Sequence, residues 1–95
     1  MSREVRGIRL PPEVQASIRV MHPDLKRRVR AAIDSIRAAP KSGKSLKREL
    51  RGWRSLAVGR VRIIYRETRA AIEIGAIGSR ASIYLDAVHH LSKRH

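Results

Sequence analysis

This sequence has no cysteine, no phenylalanine and only eight acidic residues among its 95 positions. Without cysteine, neither a disulfide nor a thiolate metal site can form. With one tryptophan and two tyrosines as its only aromatic residues, the core must consist of Ile, Val, Leu and Ala packed between helices and a sheet. A chain of this length buries enough surface for a single modest core, so we expect one domain over residues 1–95.

The scarcity of acidic residues leaves a large positive charge. Twenty-two Lys and Arg give a formal net charge of +14 and a sequence pI near 11.8. Such an excess indicates a polyanionic partner, which could be nucleic acid, an acidic protein or an anionic membrane. The membrane is the least favoured, because no apolar run has spanning length. The N-terminal segment lacks the apolar region of a signal peptide, so we expect a cytoplasmic protein.

The first half of the chain predicts one short strand and two helices. Residues 5–10 alternate loosely and end at two prolines, which predicts a short strand at a sheet edge or beside the other strands. Apolar residues at helical spacing then predict a helix over residues 12–21 and a second helix from Pro23 through Arg37. Because the break between them is short, the two helices are expected to form a hairpin.

The second half predicts an antiparallel meander of three short strands at 56–58, 60–66 and 71–77, joined by tight turns. In the middle strand, alternation places Val61, Ile63 and Tyr65 on one face and Arg60, Arg62, Ile64 and Arg66 on the other. A final helix is expected from about Tyr84 to Ser92, followed by a frayed tail. The predicted fold class is therefore α+β, with an N-terminal helical hairpin packed on a small antiparallel sheet and a short C-terminal helix.

Four further features bear on function. The segment 40–45 has loop composition and lacks the spacing of a phosphate-binding loop, and 46–50 is either a helical turn or an extended lead-in. Trp53 could stack on a nucleotide base, but core packing is favoured for a lone tryptophan in so small a domain. His89 and His90 point to different faces of a helix, with no further ligand at suitable spacing. No metal or other cofactor is expected.

The order and spacing of three motifs carry a resemblance to a known family. The motifs are Leu50-x-Gly52-Trp53, the strand segment from Val58 through Arg62 and Tyr65 to Arg66, and the run Ile77-Gly78-Ser-Arg80-Ala-Ser-Ile-Tyr84. Together they resemble the RelE/ParE toxin superfamily of type II toxin–antitoxin modules over nearly the whole chain. The resemblance implies a microbial RNase-like fold.

For RelE-type members, the resemblance implies cleavage of messenger RNA in the ribosomal A site. The reaction needs a nucleophilic 2′-hydroxyl, a stabilised phosphorane dianion and a protonated 5′-oxygen. Arg62 matches the arginine that stabilises the phosphorane, Arg80 the arginine before the last helix, and Tyr84 the tyrosine that stacks or acts near the cut nucleotide. Further RNA-binding candidates are the basic residues Lys44, Lys47, Arg54 and Arg60. The implied partners are a cognate antitoxin encoded nearby, in a hetero-oligomer, and the ribosome with its mRNA.

One departure from the family pattern leaves the mechanism open. The family's two strand lysines fall here at Ser55 and Ala57, and arginine is too basic to serve as a general base. Tyr84 could act as the base only if nearby cations stabilise its phenolate. Tyr84 could instead simply pack the last helix, and Arg62 could pair with Glu67 or Glu73. Two other functions therefore stay open, a ParE-like poison of DNA gyrase and a non-toxic basic nucleic-acid-binding module.

Overall fold

The computed structural model describes residues 7–80 and 82–91, which form three helices and one five-stranded sheet. In chain order the elements are β1 (Gly7–Arg9), α1 (Pro12–Arg19), α2 (Pro23–Ala38), β2 (Lys44–Ser45), β3 (Arg54–Val58), β4 (Val61–Glu67), β5 (Ala71–Ser79) and α3 (Ile83–Leu91). Short 3-10 turns at Pro40–Ser42 and Arg48–Leu50 flank β2. The predicted strand residues before Gly7, the predicted helix end at Ser92 and the tail lie outside the described residues.

The strand order in the sheet is β1-β5-β4-β3-β2. Strands β3, β4 and β5 form the predicted antiparallel meander, and β2 extends it antiparallel to β3. The first strand lies at the edge, as predicted, but it runs parallel to β5, so the sheet is mixed rather than antiparallel. A parallel neighbour needs a long crossover between the paired strands, and here the helical hairpin forms the first part of that connection.

The helical hairpin covers one face of the sheet, which we call the hairpin face. Both helices start at prolines, Pro12 and Pro23, whose fixed backbone suits the first turn. Each then presents an apolar stripe, because its hydrophobic residues recur at helical spacing. The core on this face consists of Val14, Ile18, Val29, Ile33 and Ile36 from the helices and Val58, Ile63, Tyr65, Ile72 and Ile74 from the sheet.

The C-terminal helix covers the opposite face, which we call the α3 face. A second core forms there from Leu50, Trp53, Ile64, Ile83, Ala87 and Leu91. Trp53 is buried, which confirms its predicted core position. Between β4 and β5, Ile64 pairs with Ala76 and Tyr65 pairs with Ile74, so Gly75 is an extra residue in β5.

Buried hydrogen bonds fix the edge strand β2, which lies inside the predicted loop. The Tyr65 hydroxyl donates to the Pro40 carbonyl at 2.7 Å and accepts from the Gly43 amide at 2.8 Å. The Arg54 guanidinium donates to the Gly43 carbonyl at 2.8 Å. These contacts hold the chain immediately before Lys44 against the sheet.

No helix among the described residues has the length and apolar composition that crossing a membrane requires.

Candidate functional site

Arg62 is the central cation of the α3 face. It shares that face with Ile64, and its cross-strand neighbours are Ala57 on β3 and Gly78 on β5. Both neighbours are small, which leaves room for the Arg62 side chain on the surface of the sheet. Its Nε atom is buried and has no hydrogen-bond partner among the described residues. A buried donor without a partner costs free energy, so an acceptor that reached this nitrogen would recover part of that cost.

Tyr84 lies in the first turn of α3, and its hydroxyl is 3.0 Å from the Ser55 hydroxyl. Ser55, the second residue of β3, is buried and lies opposite Ile64. Ser55 is therefore a diagonal cross-strand neighbour of Arg62, at a typical spacing of about 7–8 Å. Half-buried Tyr84 packs against the second core, and its hydroxyl lies beside Ser55 on the α3 face.

Lys44 joins the same face from the edge strand. It pairs with Ser55 across β2 and β3, and paired residues on neighbouring strands share a face. Its side chain is exposed. Lys44, Arg62 and Tyr84 therefore surround Ser55 on the α3 face, although the three are far apart in sequence.

Arg60 and Arg80 lie at one end of the sheet. The Arg80 amide donates to the Arg60 carbonyl at 3.4 Å, next to the pair formed by Val61 and Ser79. Both arginines are exposed, and neither makes an ion pair within the described parts of the chain. They extend the positive charge beyond Arg62 toward the turn between β3 and β4.

Two of the predicted RNA-binding residues lie away from this group. Arg54 pairs with Tyr65 on the hairpin face, where its guanidinium binds the carbonyls of Gly43 and Lys41. Lys47 is exposed in the connection between β2 and the following 3-10 turn. Arg54 therefore helps to position β2, and Lys47 adds positive charge at the edge of the sheet.

The predicted row of free arginines on β4 is interrupted at Arg66. Its Nε donates to the buried Glu73 carboxylate at 2.8 Å, and its guanidinium lies over the Trp53 ring, 4.5 Å from the centroid. Glu73 is 7% exposed and the Arg66 side chain 39% exposed, so the carboxylate is shielded from water and the guanidinium only in part. Glu73, one of the two carboxylates named above as possible partners of Arg62, therefore forms an ion pair with Arg66.

Sequence reasoning missed two features of this region. It identified Ser55 only as the position of an absent lysine, whereas its hydroxyl is bonded to Tyr84. It also did not single out Arg28 of α2, whose guanidinium reaches the β3–β4 turn at Gly59. No local sequence pattern predicts either contact, because each contact joins elements that are distant in the sequence.

The fold is shared with a chain of a solved toxin–antitoxin complex. Among solved structures, the chain is similar to one in the toxin–antitoxin complex RelBE2 from Mycobacterium tuberculosis, with a TM-score of 0.61 and 22% sequence identity. The match covers 84% of this chain and 97% of the other. No curated protein matches the sequence.

A family model settles the membership. The model of the ParE toxin of type II toxin–antitoxin systems matches residues 8–84, which extend from within β1 to the start of α3. The chain belongs to this family, within the RelE/ParE toxin superfamily, and is a type II toxin. This membership argues against a non-toxic nucleic-acid-binding module.

Proposed function

We propose that this toxin is a metal-independent endoribonuclease that cleaves messenger RNA on the ribosome and so inhibits translation. The observation that carries the proposal is the buried, unpartnered Nε of Arg62 on the α3 face, near Tyr84 and Ser55. A fixed donor in a partly dry site stabilises developing negative charge more strongly than a hydrated one. The scissile phosphate is the ligand that such a donor suits.

In the proposed reaction, the ribose 2′-oxygen attacks the adjacent phosphorus and the bond from phosphorus to the 5′-oxygen breaks. The 2′-hydroxyl loses its proton, the leaving 5′-oxygen gains one, and the products carry a 2′,3′-cyclic phosphate and a 5′-hydroxyl. Arg62 and Arg80 stabilise the phosphorane dianion, because arginine keeps its positive charge throughout. Tyr84 contacts the nucleotide beside the cut.

Lys44 and Tyr84 are the candidates for proton transfer. The positions that hold lysines in the resembled family are Ser55 and Ala57 here, and neither can carry a positive charge. Lys44 pairs with Ser55 from the neighbouring strand, so its ammonium can supply charge to the same face. Lys47 and Arg60 would bind flanking phosphates, whereas the Arg54 guanidinium is occupied by backbone carbonyls.

The proposed partners follow from membership and charge. A type II toxin requires an antitoxin, and the similar RelBE2 structure is itself a toxin–antitoxin complex. We expect a hetero-oligomer with an antitoxin whose acidic residues oppose the basic surface. The toxin would act in the cytoplasm, where it meets the ribosome.

Poisoning of DNA gyrase is the second candidate. It is favoured by the short side chains at Ser55 and Ala57 and by the bond that engages the Tyr84 hydroxyl. Under this alternative, the α3 face would bind protein and cut no RNA.

Toeprinting of translating ribosomes with added toxin separates the two candidates. The ribonuclease produces new 3′ ends at fixed codon positions within seconds to minutes of mixing. A gyrase poison leaves the message intact and instead traps cleaved DNA in a supercoiling reaction. Intact mRNA together with trapped gyrase would overturn the ribonuclease proposal.

A further inference from the structure

Arg28 reaches from the helical hairpin to the tip of the sheet. Its Nη1, Nη2 and Cζ atoms lie 3.4, 3.6 and 3.7 Å from the position that a Cβ would occupy at Gly59. Gly59 forms the β3–β4 turn with φ +58°, a conformation that favours glycine. The guanidinium therefore lies against bare backbone at this turn.

The same turn carries two more arginines. Arg60 follows Gly59 directly, and its carbonyl accepts the Arg80 amide at 3.4 Å. We call Arg28, Arg60 and Arg80 the turn cluster. Its three members come from α2, from the β3–β4 turn and from the end of β5, so only the folded chain brings them together.

In the part of the chain that the structure describes, no carboxylate forms an ion pair with the turn cluster. Within the described residues, Asp24 pairs with Arg27, Asp34 with Arg37 and Glu73 with Arg66, and no carboxylate pairs with the cluster. Asp86 borders a cavity together with residues of α1, and Glu67 lies at the opposite end of β4. Three exposed guanidinium groups without an acid create a local positive potential suited to an external anion.

We propose that Arg28, with Arg60 and Arg80, binds the phosphodiester backbone of the RNA strand beyond the cut site. This inference deepens the proposed function and rests on it for the identity of the strand. Arg62 is two residues after Arg60, so the turn cluster adjoins the end of β4 that carries the proposed cleavage site. Guanidinium forks bind phosphate oxygens in two-point contacts, and such contacts position a strand without reading its sequence.

The direct test is binding of a single-stranded 2′-O-methyl RNA oligonucleotide, which cannot be cleaved, by fluorescence anisotropy across a salt series. Arg28→Ala should weaken binding severalfold and lower the logarithmic salt slope by about one phosphate contact. The matched control is Arg30→Ala, on the same helix with the same change in charge. Arg30 lines a separate groove with Ile8 and Leu10 and should leave the slope near that of the wild type. Thermal melts of both variants check that the fold is retained.

Equal losses in the Arg28 and Arg30 variants would reduce the effect to bulk charge and overturn the proposal. An unchanged slope for Arg28→Ala would also overturn it. A loss confined to a DNA oligonucleotide of the same sequence would overturn its assignment to RNA.

A ribosomal cleavage assay keeps the two proposals distinguishable. Arg28→Ala should raise the ribosome concentration needed for half-maximal cleavage without lowering the saturated rate. If the wild-type toxin cleaves mRNA and the Arg28→Ala variant binds RNA normally, the proposed role of the turn cluster is wrong and the ribonuclease proposal is retained. If the wild-type toxin does not cleave mRNA but the Arg28→Ala variant loses one phosphate contact, the ribonuclease proposal is wrong and the phosphate-binding role of the turn cluster is retained.

Discussion

Arg62 combines a permanent charge with an incompletely paired nitrogen. Its small neighbours, Ala57 and Gly78, leave the guanidinium beside the sheet, and Ile83 packs over Gly78 with its Cδ1 3.1 Å from a hypothetical Cβ there. The start of α3 therefore borders the arginine and excludes water from its inner side. Such burial raises the strength of any interaction the group makes with an anion.

Replacing Arg62 with alanine tests this role. We expect roughly a hundredfold slower ribosomal cleavage, which is typical for the loss of one donor to a transition state. Single-turnover measurements at saturating ribosome concentration report the chemical step. The control is Arg69→Ala, an exposed arginine near the opposite end of β4, which should cleave at the wild-type rate. Normal cleavage by a folded Arg62→Ala variant would remove this residue from the mechanism.

Gly75 is required by close packing on the α3 face. A Cβ at this position would lie 2.5 Å from Cζ3 of Trp53 and 2.8 Å from Cδ1 of Leu91. We expect Gly75→Ala to destabilise the protein by about 1–3 kcal/mol, because the tryptophan ring and the helix must shift. Chemical denaturation measures the loss. Gly7→Ala, where no atom lies within 4 Å of the added methyl group, should have a much smaller effect.

Strand β2 depends on one buried phenol for its position. The Tyr65 hydroxyl bridges Pro40 and Gly43, immediately before Lys44. Tyr65→Phe should cost about 1–3 kcal/mol, because the Gly43 amide and the Pro40 carbonyl both lose a buried partner. Hydrogen exchange should rise first at β2.

If Lys44 serves the reaction from this strand, Tyr65→Phe should also slow cleavage although Tyr65 contacts no substrate. Lys44→Ala should slow cleavage to a similar or greater extent. Unchanged cleavage in both variants would exclude β2 from the catalytic surface.

Some elements follow from sequence periodicity and others do not. The helical hairpin and the meander were predictable because their apolar residues recur at periods of 3.6 and 2 over several turns or pairs. Strand β2 has only two residues, and bonds from Tyr65 and Arg54 hold it, so its own composition indicates a loop. Local pattern cannot show such support from a distant residue.

The site was also predictable only in part, because local pattern does not show contacts with distant residues. Alternation along β4 correctly placed Arg62 and Ile64 on one face, but it could not show which arginine finds an acid. Arg66 lies opposite Glu73 across the sheet, whereas Arg62 lies between two small residues. The difference depends on strand register, and the extra residue Gly75 changes that register between the two arginines.

The charge of the whole molecule affects every association it makes. With a net charge of +14, the chain repels itself and attracts polyanions over several ångströms. Affinity for ribosomes or RNA should fall steeply with salt, with a slope of several phosphate contacts, because each contact releases counterions. Binding measured at increasing KCl concentration gives that slope. A flat series would indicate a mainly apolar target and would contradict polyanion recognition.

The buried Nε of Arg62 also couples anion binding to the equilibrium between the folded and the unfolded chain. Only the folded chain desolvates this nitrogen, so an anion that accepts its hydrogen bond binds the native state preferentially and raises the melting temperature. Arg62→Met keeps the apolar stem and removes the charge, so the variant should melt higher than wild type in dilute buffer and respond less to added phosphate. Differential scanning calorimetry at matched ionic strength, with chloride as the reference salt, measures both effects. The toxin is therefore most stable when its target is bound. The free form is less stable, because the Nε of Arg62 is desolvated there without a hydrogen-bond acceptor.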